Sequence, residues 1–212
     1  STPSATAFQK VEGKQTIGAT IQHPGTMYHV NSSPYDLYDQ TYINMWAANN
    51  TAINNASNDA VVKTIYDPCP AGFHLPASKA FTGFTTTGNE AYGYNEFNVE
   101  GNFNKGWNFK TNIGTSTIFF PVLGGRYYRD GSLYMVGTGF FWSAFPANNG
   151  NMGYVFNFDS GAIYPNASVI KSFALPIRPV AQQRTRVTPK TPGSSVEAWQ
   201  EEELDGGHGR QQ

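Results

Sequence analysis

The stretch Tyr66 to Pro76, YDPCPAGFHLP, constrains this chain more than any other. Pro68, Pro70 and Pro76 each hold φ near −65° and push the preceding residue out of the helical region, so no regular helix runs through the segment. Gly72 adds a position open to conformations closed to other residues. The expectation is a rigid, irregular corner. It opens into Phe73, His74 and Leu75, then into a short helix from Ser78 to about Phe84, with Ser78 as its cap and Gly83 and Gly88 near its exit. A second stretch, Phe173 to Val180 (FALPIRPV), reads as ending in a last strand. Together the two read as the ends of one domain.

The 212 residues include 14% charged and 15% aromatic side chains, with 22 glycines and 13 prolines. That balance suits a single loop- and strand-rich globule better than a helical bundle. A net charge of −1 gives no global field to draw in nucleic acid or an anionic membrane. No segment reaches the roughly 20 consecutive apolar residues that span a bilayer. The opening STPSATAF lacks a charged-then-apolar leader, so the chain reads as cytosolic or as one whose leader has been removed. The single cysteine, Cys69, can form neither an internal disulfide nor a Cys-rich zinc site. At the proline corner it reads as a packed, buried thiol.

Residues 1–16 are small and polar and read as a linker or leading segment, and 17–181 as the folded domain. Residues 182–212, with Trp199 and Leu204 as their large apolar side chains, read as a disordered tail that buries too little to offset its ordering entropy. Tyr35, Tyr38, Tyr42 and Trp46 recur at a spacing that permits one aromatic helical face. Asn89 to Gly114 reads as loops or short hairpins around Trp107 and Phe109, and Thr117 to Val122 as a buried strand. Turn signals at Gly124-Gly125, Asp130-Gly131, Asn149-Gly150 and Ser160-Gly161 then separate the aromatic runs Phe140 to Trp142 and Tyr154 to Phe158, which predicts a meander.

The sequence carries no HExxH pair, GxSxG elbow, Walker loop or GxGxxG. His23, His29, His74 and His208 have no ligand spacing, and Glu90, Glu96 and Glu100 read as solvated loop carboxylates. A glycosidase would need two carboxylates across a cleft. The chain therefore reads as non-enzymatic, with no cofactor and no metal. Its Tyr, Asn, Ser and Gly content offers stiff aromatic contact area with adaptable hydrogen bonds, the chemistry of antibody loops. The candidate ligand-binding residues are Tyr127, Tyr128, Tyr134, Phe140, Phe145, Asn148, Asn151, Tyr154, Asn157, Asp159, Tyr164 and Asn166. Along Gly153 to Phe158, Tyr154, Phe156 and Phe158 share one face, and Val155, Asn157 and Asp159 the other.

The succession TIYDPCPAGFHLP, AFTGFTTTG, KGWNF, DGSL, VGTGFFWSA, FNFDSG and FALPIRPV resembles the C-terminal major paralogous domain of fimbrillin-like surface proteins from Gram-negative anaerobes, over roughly Ile17 to Val180. The resemblance implies an α+β, C-type-lectin-like fold with two helices, a small twisted antiparallel sheet and long loops. Gly131-Ser132-Leu133, Trp142-Ser143 and Arg178-Pro179-Val180 are also similar to the frame of retroelement-diversified lectin-fold variable proteins. That frame implies Trp142 in the core, Phe156 and Phe158 inward, and Asn157 and Asp159 outward. Adenine-directed variation of Asn-type codons cannot create Glu, Gln, Lys, Met or Trp. From Pro121 to Val180 there is no Glu or Gln, and only Lys171, Met135, Met152 and Trp142 from that set. Loops that exclude long charged side chains would look the same. Relatives often close with Arg-Cys-Val, so Pro179 removes any disulfide to Cys69. The calcium-dependent sugar motifs of true C-type lectins are missing, as are the cysteines of the lectin-fold enzyme that makes formylglycine.

The resulting expectation is a ligand-binding or adhesion domain of a surface or fimbrial protein, placed at the cell surface or outside the cell after removal of a leader that this chain does not carry. It would recognise a protein or glycan through 125–172, with Tyr127, Tyr128 and Tyr134 outward. The alternative is a structural pilin-type subunit or spacer domain with fimbrial subunits as partners. Neither reading involves nucleic acid or a membrane span.

Overall fold

The computed structural model describes residues 9–13, 15–23, 25–29, 46–111, 115–148, 150 and 152–182. Tyr35, Tyr38, Tyr42, Asn151 and residues 183–212 of the expected tail lie outside the described residues. At the N-terminal side, β1 (Gln9–Glu12) falls within the expected leading segment. It is followed by α1 (Ile17–Gln22) and β2 (Thr26–His29). β1 and β2 pair in parallel, Gln9 opposite Thr26, and α1 is the crossover that a parallel pair requires. The Thr16 hydroxyl accepts the Ala19 N–H at 3.2 Å and caps the helix.

The other strands are β3 (Phe73–His74), β4 (Val99–Glu100), β5 (Gly106–Lys110), β6 (Thr117–Pro121), β7 (Gly125–Arg126), β8 (Leu133–Tyr134), β9 (Gly139–Ala147), β10 (Met152–Phe158), β11 (Ile163–Ile170) and β12 (Val180–Ala181). They form two three-stranded sheets, β4-β5-β6 and β11-β10-β9, and the two-stranded pairs β3–β12 and β7–β8. β9, β10 and β11 are an antiparallel meander turned at Gly150 and at the Ser160-Gly161 signal.

The meander is covered on both faces, which is why its strands read as nearly continuous apolar runs instead of clean alternation. All of β9 is buried. Phe141, Phe156, Phe158 and Ile163 enter one core with Trp107 and Phe109 of β5 and Phe120 of β6. Phe140, Trp142, Ala144 and Val155 enter a second core with Val61, Cys69 and Leu75. Ring pairs fix the first core, with Phe81 stacked on Phe156 at 4.7 Å and Phe84 on Phe109 at 4.3 Å. Two irregularities adjust the faces. β9 runs from Trp142 to Pro146 where β10 runs only from Val155 to Gly153, and Phe145 consequently joins Ala144 in the second core. Pro165 sits where β11 gains a residue on β10, at a sheet edge that tolerates a missing donor. β6 is only half covered: Phe120 is buried and Phe119 is exposed, where a buried strand was expected.

The proline corner is held from inside. The buried Asp67 accepts the Cys69 N–H at 2.7 Å and the Leu75 N–H at 3.0 Å. The Lys63 ammonium donates to the carbonyls of Cys69, Pro70 and Phe73. Gly72 has φ +81°, the left-handed region expected of it. Val180 pairs with His74 and Ala181 with Phe73, so the two motifs meet in space. Both also line β9, where the Trp142 N–H donates to Pro176 O and the Ala144 N–H to Pro76 O.

The expected α+β, C-type-lectin-like class is corrected by this architecture. Among the described residues there is one α-helix, six residues long, and strands predominate in several small sheets. The helix expected from Ser78 to Phe84 is a run of turns ending in a 3-10 helix, Thr82–Phe84. Ser78 caps nothing there. Its buried hydroxyl accepts the Ser57 N–H at 2.8 Å and donates to Asn55 O at 2.6 Å, tying down the preceding loop. Gly83 and the β-branched Thr82 and Thr85 to Thr87 oppose continuation. Trp46, the described member of the expected aromatic helical face, lies in a turn with its ring 5.7 Å from Trp142.

Candidate binding face

The structure divides the sequence candidates among different surroundings. Phe140 and Phe145 are core residues, at 4% and 1% exposure. Tyr128 is buried as well, so the expected outward trio of Tyr127, Tyr128 and Tyr134 is not a free surface. Their rings gather around Phe173, with Tyr128 at 5.0 Å, Tyr134 at 4.9 Å and Tyr127 at 5.7 Å from it. The hydrogen bond with Tyr128 raises the Tyr127 phenol pKa. Asn157 donates to Gly139 O at 3.1 Å. Asp159 accepts the N–H groups of Gly161 and Ala162 and shapes the Ser-Gly turn. Both serve the meander while half exposed. Asn148 is exposed at a turn with φ +46°. Tyr154 donates to Asn54 Oδ1 at 2.6 Å, and its burial raises its pKa. Asn166 is half-buried, and its Oδ1 has no hydrogen-bond partner.

Tyr164 leads elsewhere. Its ring meets Tyr92 edge-on at 5.7 Å. Tyr92 and Tyr94 are 65% and 54% exposed, and with Gly93, Asn95 and Glu96 they line an open hollow of about 430 Å³. The hollow forms because Gly93 leads into a 3-10 turn, Tyr94–Glu96, from an extended conformation. Glu96 then folds back so that its Oε2 accepts the Tyr92 N–H at 2.9 Å, as an acidic residue does in a capping arrangement.

Both rings are exposed yet anchored. The Tyr92 hydroxyl donates to Glu90 Oε2 at 2.7 Å, and this bond chiefly pushes its pKa up to about 12. The Tyr94 hydroxyl donates to Gly101 O at 3.2 Å, while its ring rests 5.8 Å from Trp107. Trp107 is itself fixed by donating Nε1–H to Asp159 O at 2.9 Å, across to the meander. A side chain that has already lost its rotamer freedom gives that much less away on binding. The hollow therefore offers two stiff apolar plates, the Glu96 carboxylate and one amide, with the Glu90 carboxylate at the Tyr92 hydroxyl.

Tyr164, a sequence candidate, touches the Tyr92 ring, but none of the residues lining the hollow was singled out as a ligand contact from sequence. The signal for them was the run Glu90 to Glu96, EAYGYNE, where two tyrosines flank a glycine between acidic residues. Among the described residues no group of three His, Cys, Asp or Glu is placed to hold a metal, and no helix is long and apolar enough to cross a membrane. No protein-family model, curated protein or solved structure matches this chain.

Proposed function

We propose that this chain is a non-enzymatic binding domain of adhesive type, displayed at the cell surface, and that its contact face is the Tyr92–Tyr94 hollow. One observation carries the reading: two tyrosine rings are more than half exposed while hydrogen bonds and packing hold each in place. Rigid aromatic rings supply contact area at low conformational-entropy cost. The likeness of the Tyr66–Pro76 and Phe173–Val180 motifs to surface proteins supports display outside the cell.

The test is a screen of the full chain against glycans and surface proteins beside a Tyr92→Ala/Tyr94→Ala variant. Since both rings lie outside the buried core, the variant should unfold at nearly the wild-type temperature and lose binding. A variant that keeps both its fold and its affinity would sink this assignment.

A further inference from the structure

We infer that the hollow takes a cationic side chain, the ammonium of a lysine or the guanidinium of an arginine, presented by a protein partner; this rests on the binding reading above and specifies its ligand. The face has two sources of negative potential. Glu90 and Glu96 each use Oε2 to hold Tyr92. Among the described residues neither carboxylate is in an ion pair; Lys63 and Asp67 form one at the proline corner. The rings of Tyr92 and Tyr94, each more than half exposed, add the aromatic quadrupole, whose negative side attracts a cation.

A neutral sugar could stack on the rings and donate to the carboxylates, but it would leave both formal charges uncompensated. An anionic ligand would be repelled. An alkyl-ammonium or guanidinium group satisfies ring faces and carboxylates together, and its apolar stem can lie along the rings. The anchoring bonds keep the arrangement in place before the ligand arrives, because the Glu90 contact fixes the Tyr92 ring and the Glu96 contact fixes its backbone.

The experiment uses the full chain, isotope-labelled and followed by backbone amide resonances. The probes are a capped Gly-Arg-Gly tripeptide, a capped Gly-Lys-Gly tripeptide, the same peptide with acetylated lysine, and the disaccharides cellobiose and diacetylchitobiose. The two cationic peptides should shift the amides of Tyr92, Asn95 and Glu96, and the acetylated one should not. Added salt should weaken the shift. Glu96→Gln keeps a carbonyl acceptor for the Tyr92 N–H and removes only the charge, so affinity should fall roughly two- to fivefold, the scale of an exposed charge pair. Shifts from the disaccharides with none from the cationic peptides would overturn the cationic ligand and leave the binding face standing. Silence from every probe would overturn the cationic ligand too and count against the face. Equal affinity of wild type and Glu96→Gln would remove the carboxylate from the recognition.

Discussion

Cys69 sits at 6% exposure beside the Asp67 carboxylate, and burial first, then the hydrogen bond with Asp67, pushes its thiol up to about 12 from 9.0. The folded state therefore holds this proton more tightly than the unfolded chain. The associated stability is complete below about pH 9 and is lost as pH rises toward 12. Two outcomes are expected: the native thiol should resist disulfide-exchange reagents at neutral pH, and alkaline unfolding should be less steep with pH in Cys69→Ala. Rapid labelling without unfolding would contradict the first. Tyr92 gives a surface counterpart. Its phenol should titrate near 12, and Glu90→Gln should move it back toward 10.0, followed by ultraviolet absorbance. At this scale the sequence revealed the buried thiol, because a lone cysteine between prolines has few other settings, while Trp142 in the core was what the family resemblance implied. It did not reveal that Tyr128, Phe140 and Phe145 are buried. Neighbouring residues do not say which side of a strand another segment will cover.

Between β9 and β10 the packing is close. A Cβ at Gly153 would lie 2.7 Å from Trp142 Cζ3 in the strand opposite, and that ring is packed against Trp46 and the second core. Gly153→Ala should therefore destabilise the fold by about 1–3 kcal/mol, as overpacking does. Denaturant unfolding measures it, and an unchanged midpoint would mean the Trp142 ring gives way freely. Turn chemistry made this meander legible: Gly150 and Ser160-Gly161 lie at its two reversals, and Thr117 begins a strand as expected. The short helix from Ser78 was misread for a physical reason. A serine after a proline is a good cap only if its hydroxyl is available, and here the 55–57 loop claims it across more than twenty residues of chain.

For the whole molecule, closure depends on two distant segments. Phe173–Ala181 supplies β12 to β3, the Pro176 carbonyl to Trp142, and the Phe173 ring around which three tyrosines gather. Deleting Phe173–Gln182 should abolish the single sharp heat-capacity peak on calorimetry, since β9 loses an edge partner and both cores lose cover. A retained sharp transition would show that the rest closes alone. The sequence by itself determined the rigid corner and the hairpin reversals. Both follow from local φ restrictions and turn residues. Only the tertiary structure decided the fold class and the candidate face. A strand-rich fold of several small sheets and a two-helix domain can share the same local signals. Whether a tyrosine is core or surface depends on which residues, far away along the chain, are packed against it.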